Sequence, residues 1–234
     1  MPVTPGDSVK THTCNYMMKS HVVIAHYYED LGWLREAAEA WPPESVSLFV
    51  YTKGPAEPPS VPARATLAMR PNVGREAETW LHHLCEHYSD LPDTVYFLQG
   101  NPFDHVRPID RASLRAGVLP EAPPGKPTPI FADLITESCR AQGVHHTAYH
   151  ELLFDAPVPT SFSFVPGAQY AVSREDILAK PKAYYERLSA MLRAYPDATN
   201  QNVYFPFSSD RIDPWSIERM WPGIFSASVR PRAL

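Results

Sequence analysis

The sequence predicts an α/β fold in a single domain, with a mostly parallel sheet flanked by helices. Three observations lead there. Short apolar runs at 21–26 (HVVIAH), 46–51 (VSLFVY) and 94–98 (TVYFL) read as buried strands. Amphipathic helical patterns separate them, and the alternation strand, helix, strand, helix, strand favours parallel pairing through crossovers. A length of 234 residues suits one domain with a substantial core.

Each element has its own signal. After the first strand come Tyr27, Tyr28, Glu29 and Asp30. A helical pattern through Leu31, Leu34, Ala37 and Ala38 then ends before Pro42. The second strand closes at Thr52-Lys53-Gly54. Residues 72–88 are predicted as a helix, with Asn72 as N-cap and Ala77, Trp80, Leu81, Leu84 and Tyr88 as its apolar stripe. The third strand stops in Gln99, Gly100 and Asn101. A helix is expected near 131–142, an irregular aromatic stretch near 161–172, and a helix from Pro181 to just before Pro196. The last helix takes Asp213 as cap and Pro214 as first residue, carries WSIERMW and is expected to break at Pro222-Gly223. No internal repeat is visible.

Composition narrows the class. Apolar residues make up 44 % and charged residues 20 %, as in an ordinary globular protein, and the net charge of −5 does not advertise a nucleic-acid binder. Cys14, Cys85 and Cys139 are odd in number and widely spaced, which argues against a disulfide framework and for a reducing, cytoplasmic setting. Cys85 and Cys139 fall in helical patterns and read as core residues. No run has the length of a membrane span. Residues 1–20 read as a flexible tail ahead of a domain at 21–234. The 26 prolines, many at 42–71 and 119–129, suggest stiffened surface loops.

Several groups of residues have chemistry to offer. His26 ends the first strand and Glu29 and Asp30 follow it, as a ligand rim or, for the two acids, as caps on the next helix. Asn72 and Gly74 lead into a helix whose free N–H groups suit an anion. Arg75, Glu76 and Thr79 lie off its apolar stripe, as ligand contacts or as a solvated face. Gln169 and Arg174 sit near Gly167, which permits close backbone approach; the alternative is a strand running into a helix capped by Ser173, with Asp176 three residues on. Glu218 lies close to Trp215 and Trp221 in sequence. That suits a desolvated carboxylate acting as a general base, or a structural ion pair with Arg219. The pairs His83/His87 and His146/His150 could each share a helical face, but Glu86 is misplaced for HExxH. The expectation is surface or half-buried histidines and no metal. P-loop, GxSxG, GxGxxG and Cys-His signatures are absent.

Taken together, VVIAHYYEDLGWL, YTKG, NVGREAETWLHHL, LPDTVYFLQGNPFDH, GAQYAVSRE and WSIERMWPGIF resemble the arginine-containing cyclodipeptide synthases, a family catalogued earlier as a domain of unknown function. The blocks stand in the family's order and cover most of the chain from His21 to Phe225; the tail and the proline loops fall outside them. The resemblance implies a layout similar to GT-A glycosyltransferases, with NVGREA matching their nucleotide-side helix and Glu218 their acceptor base. Gln99-Gly100-Asn101 stands where those enzymes carry Asp-x-Asp, which removes the hard anionic ligands of Mg²⁺ or Mn²⁺.

The activity implied is a metal-independent and cofactor-independent condensation of arginine, from Arg-tRNA, with a second amino acid from another charged tRNA. The product is a diketopiperazine, and no membrane is involved. In that reading Gln99 and Asn101 donate to the oxyanion and Glu218 takes the amine proton. Glu29, Asp30 and Glu76 are candidates for the guanidinium, and Lys53, Arg75 and the helix N-terminus for phosphate and adenosine. His26, Asn72, Thr79, Gln169 and Arg174 complete the candidate substrate contacts. A GT-A-type glycosyltransferase using a nucleotide sugar, or a non-catalytic sugar-nucleotide-binding relative, is the alternative.

Overall fold

The computed structural model describes residues 17–54, 60–138, 145–195 and 207–232. Strands β1 (Ser20–His26), β2 (Val46–Thr52), β3 (Thr66–Met69) and β4 (Thr94–Gln99) run parallel, while β8 (Tyr170–Ser173) pairs antiparallel with β4. With β5 (Thr128–Pro129) on β8, the six-stranded sheet has the order β3-β2-β1-β4-β8-β5. A separate antiparallel ribbon joins β6 (Ile135–Ser138) to β7 (Ser161–Phe164). The helices are α1 (Gly32–Ala40), α2 (Arg75–His87), α3 (Arg111–Arg115), α4 (His146–Leu153), α5 (Arg174–Leu178), α6 (Lys182–Arg193) and α7 (Pro214–Ile224).

Both sheet faces are covered, which explains the unbroken apolar runs. Successive side chains alternate between them. Val23, Val95 and Phe97 point into a core with Trp80 and Leu84 of α2, Leu188 of α6 and Trp221 of α7. Val22, Ile24, Tyr96 and Leu98 point into the other core, with Leu34 of α1 and Leu114 of α3. From β1 the chain moves outward through β2 and β3, then returns to place β4 on β1's other side. The carboxyl ends of β1 and β4 therefore meet at a topological switch point, where α/β sheets open a crevice.

Several expectations need correction. The helix expected near 131–142 is strand β6 over 135–138; 139–142, with Cys139, and Cys14 in the tail lie outside the described residues. Ser20 already belongs to β1, with Lys19 N–H bonded to Asp93 at 2.7 Å. Helix α2 starts at Arg75 rather than 72, because Gly74 and Arg75 both take positive φ (62° and 51°). The stretch 161–172 is not irregular throughout. β7 alternates exposed serines with buried phenylalanines, and β8 follows a 3₁₀ turn. Pro181 is the N-cap of α6, not its first residue. Helix α7 runs through Pro222 to Ile224. The proline forfeits one bond, to the Glu218 carbonyl. Burial of Trp221 and Ile224, with Phe225 N–H donating to Trp221 O at 2.8 Å, holds the last turn. His83, His146 and His150 are buried rather than at the surface.

Candidate active site

The switch point opens into a crevice of about 420 Å³, built from the ends of β1, β2 and β4 and the entry to α2. His26, Glu29, Lys53, Asn72, Arg75, Glu76 and Gln99 all line it. Of the other candidates, Glu218 lies behind the lining, bonded to Gly167, which packs against Gln99 and His105, while Asp30 and Asn101 open into an adjoining hollow of about 280 Å³ with Glu29 as shared wall.

Local hydrogen bonds determine what each side chain can do. Glu29 folds back to accept from Tyr27 N–H (2.6 Å) and Tyr28 N–H (3.1 Å), and rests over Gly100, where a Cβ would meet its carboxylate at 2.6 Å. Asp30 accepts from Gly32 N–H at 2.9 Å, ahead of α1. His26 contacts Thr52 Oγ1 (2.8 Å) through Nδ1 and Glu29 O (3.1 Å) through Nε2. Asn72 reaches Tyr27 Oη at 3.4 Å. Asn101 accepts from Phe103 N–H at 3.3 Å and so caps a 3₁₀ turn at Pro102–Asp104. The amide of Gln99 faces the crevice; that of Asn101 does not.

Lys53 is not a free phosphate ligand. Its ammonium donates to the carbonyls of Val73 and Arg75 and lies 3.1 Å from Glu78. Glu78 is fully buried and also pairs with Arg70 (2.5 Å) and Arg193 (2.9 Å). Burial pushes the Glu78 carboxyl up, but Lys53 and Arg70 outweigh it and hold it below the usual carboxylate range. This cluster pins the Val73–Arg75 turn in its left-handed shape. Arg75, left on the crevice side, lies 4.3 Å over the Trp215 ring and 3.6 Å from the Glu76 carboxylate.

Two carboxylates are buried here, Glu76 in the crevice wall and Glu218 behind it. Glu76 is 8 % exposed, and burial pushes its carboxyl up against the opposing pull of Arg75, Lys53 and His105. Glu218, also 8 % exposed, is pushed up to about 7 by burial and then by the charge of Glu76, against the hydrogen bond from Gly167 and the charge of Arg219. Gly167 N–H donates to Glu218 Oε1 at 2.6 Å, and Arg219 lies 3.1 Å from Oε2, so the carboxylate is both desolvated and ion-paired. Gly167 has φ 71°, and a Cβ there would meet Gln99 Oε1 at 2.8 Å and His105 Cδ2 at 2.7 Å. Only glycine fits between Gln99 and Glu218.

Three further candidates lie outside both the crevice and the hollow. Thr79 is fully buried in α2. Gln169 is fully buried and braces the crevice from behind, accepting from Gln99 N–H (3.2 Å) and donating to Pro102 O (3.1 Å). Arg174 lies beyond Ser173, which pairs with Thr94 at the amino end of β4, because β8 is antiparallel; its N–H bonds Asp93 O. The N-cap role of Ser173 holds, with Asp176 N–H donating to its Oγ at 3.1 Å.

Sequence reasoning missed Asp104 and His105, which line the crevice, and Trp215, which backs Arg75. The Asn101-Pro102 pair was the available signal for the first two, since it initiates a turn that folds the following residues back. Among the described residues, no group of three His, Cys, Asp or Glu side chains is placed to hold a metal ion. No helix of the described residues is long and apolar enough to cross a membrane.

No curated protein and no solved structure matches the chain. A sequence family does. Its signature matches residues 22–116 and 112–232, so it spans the crevice, the sheet and α7, and the chain belongs to this family, described as a protein of unknown function (DUF3431).

Proposed function

We propose that the crevice catalyses metal-independent aminoacyl transfer, condensing arginine from Arg-tRNA with a second tRNA-borne amino acid into a diketopiperazine. The observation that carries this reading is the pair of buried carboxylates. Burial and then the charge of Glu76 push the Glu218 carboxyl up to about 7, the range in which a general base works best. Two acids held this way favour a cationic or amine-bearing substrate, which relieves their repulsion.

The chemistry asked of the site is modest. The amine of one aminoacyl group attacks the ester carbonyl of the other. Glu218 takes the amine proton, and the Gln99 amide donates to the tetrahedral oxyanion. Collapse forms the amide bond and expels the ribose oxygen, which leaves as a hydroxyl with the proton from Glu218. A second aminolysis closes the ring and frees the second tRNA. Glu76 is the carboxylate best placed for the guanidinium, since Glu29 and Asp30 are engaged with backbone N–H groups. Phosphate recognition falls to Arg75 and the entry of α2. The net charge of −5 offers no long-range attraction for a polyanion.

A second reading has its own support. A layout similar to GT-A glycosyltransferases is consistent with the strand order and the crevice at the β1/β4 switch point, which suits a nucleotide sugar. One experiment separates the readings. Purified protein is given charged tRNAs without ATP, with and without EDTA, and products are read by mass spectrometry. The expected result is a diketopiperazine whose yield is unaffected by chelator. Turnover of UDP- or GDP-sugars restored by Mn²⁺ would replace it with glycosyl transfer. Tight sugar-nucleotide binding without turnover would mark a binding module.

A further inference from the structure

A second cavity, of about 530 Å³, lies against α7 and shares no lining residue with the crevice. Strand β7, α4, α7, β8 and residues 126–129 line it, and Phe154, Phe162, Tyr170 and Met220 give it an apolar wall. The ribbon is tied to α7 by a two-pronged pair, Arg219 to Glu137, at 2.9 Å on both prongs, so the wall is held in place. Among the polar residues of the lining, which include Lys126, Thr128, Arg219 and Ser226, one is buried without a hydrogen-bond partner. His150 is 7 % exposed, its Nδ1 is buried without a partner, and its side chain makes no hydrogen bond among the described residues. Its ring packs edge-on to Phe154 (5.0 Å) and tilted to Phe162 (5.8 Å). A buried imidazole left unsatisfied is destabilising, and a cavity of this size with one such group has the make-up of a small-molecule site.

We propose that this cavity binds a small aromatic molecule or side chain that offers one hydrogen-bonding group, of the phenol or indole kind, to His150. The ring fills the apolar wall with edge-to-face contacts and a Met220 thioether contact. The polar group hydrogen-bonds the imidazole where it lines the cavity. Helix α7 carries both sites, with Glu218 toward Glu76 and Arg219 and Met220 lining the cavity. The inference goes beyond the transfer proposed above and stands without it.

Ligand-observed NMR on the full chain tests this, with p-cresol, indole and toluene as probes. Wild type is expected to bind p-cresol and indole saturably, and p-cresol about fivefold or more tighter than toluene, the worth of one net hydrogen bond. His150→Phe is expected to bring p-cresol and toluene within about twofold of each other. Ser161→Trp, an exposed position at the rim, is expected to abolish binding of all three. The proposal is overturned if wild type shows no saturable binding, if it binds toluene as tightly as p-cresol, or if Ser161→Trp binds undiminished. These readouts use no tRNA, so their failure is distinct from a failure of the transfer reaction.

Discussion

At the scale of single residues the site rests on Glu218 and on what keeps its carboxyl near 7. Glu218→Gln keeps the size and can still accept from Gly167, but it cannot take a proton. Diketopiperazine formation is expected to fall by about 10²–10⁴-fold, the usual worth of a general base, with the fold retained. Wild-type activity should rise with pH through about 7 as Glu218 ionises. Because the charge of Glu76 is one cause of the raised value, Glu76→Gln should move that midpoint to lower pH; an unmoved midpoint would uncouple the two acids. Glu218 was legible because tryptophans flank it in sequence, which hints at desolvation. The burial of Glu76 was not legible, since a residue off an apolar stripe reads as solvated until another element, here the Gly167 turn and α7, covers it. The amides of Gln99 and Asn101 look equivalent in sequence. They part only when Asn101 turns to cap the 3₁₀ turn.

At the scale of elements, the entry to α2 depends on a lysine that looked like a ligand. Lys53→Met leaves two carbonyls without their donor and Glu78 without its nearest ammonium. Removing one partner of a buried ion pair typically costs about 3–5 kcal/mol, which urea denaturation would read as a lower midpoint with an unchanged slope. A shift below about 0.5 kcal/mol would mean that Arg70 and Arg193 hold Glu78 without it. The apolar runs of β1, β2 and β4 and the stripes of α1, α2 and α6 were readable because burial on two faces or one leaves a periodic trace. Strands of two to four residues, such as β3, β5 and β6, leave almost none. Pro222 misled for a related reason: the rule that proline ends a helix is local, and the aromatic packing that overrides it is tertiary.

At the scale of the whole molecule, two sets of buried ionisable groups pull stability in opposite directions with pH. Burial lowers the proton affinity of His21, to about 4, and lowers that of His82, His83, His146 and His150. His83 is held between Tyr51 Oη at 2.9 Å and His21 at 3.1 Å, with no room for a second charge. These groups bind fewer protons folded than unfolded, so their contribution is complete above about 6.5 and is lost as pH falls toward 4. Glu76 and Glu218 have the opposite sign. Their raised values favour the fold below about 4.5 and lose that contribution as pH rises, for Glu218 through about 7. Five histidines against two acids should decide the outcome, and the depressed carboxyls of Glu78 and Glu137 act on the histidines' side as pH falls further. The melting temperature is therefore expected to drop from pH 7 to pH 5. Glu218→Gln removes one opposing contribution, so its drop should be steeper than that of wild type. A wild-type melting temperature that held or rose on acidification, or a shallower drop in Glu218→Gln, would contradict this balance of buried charge.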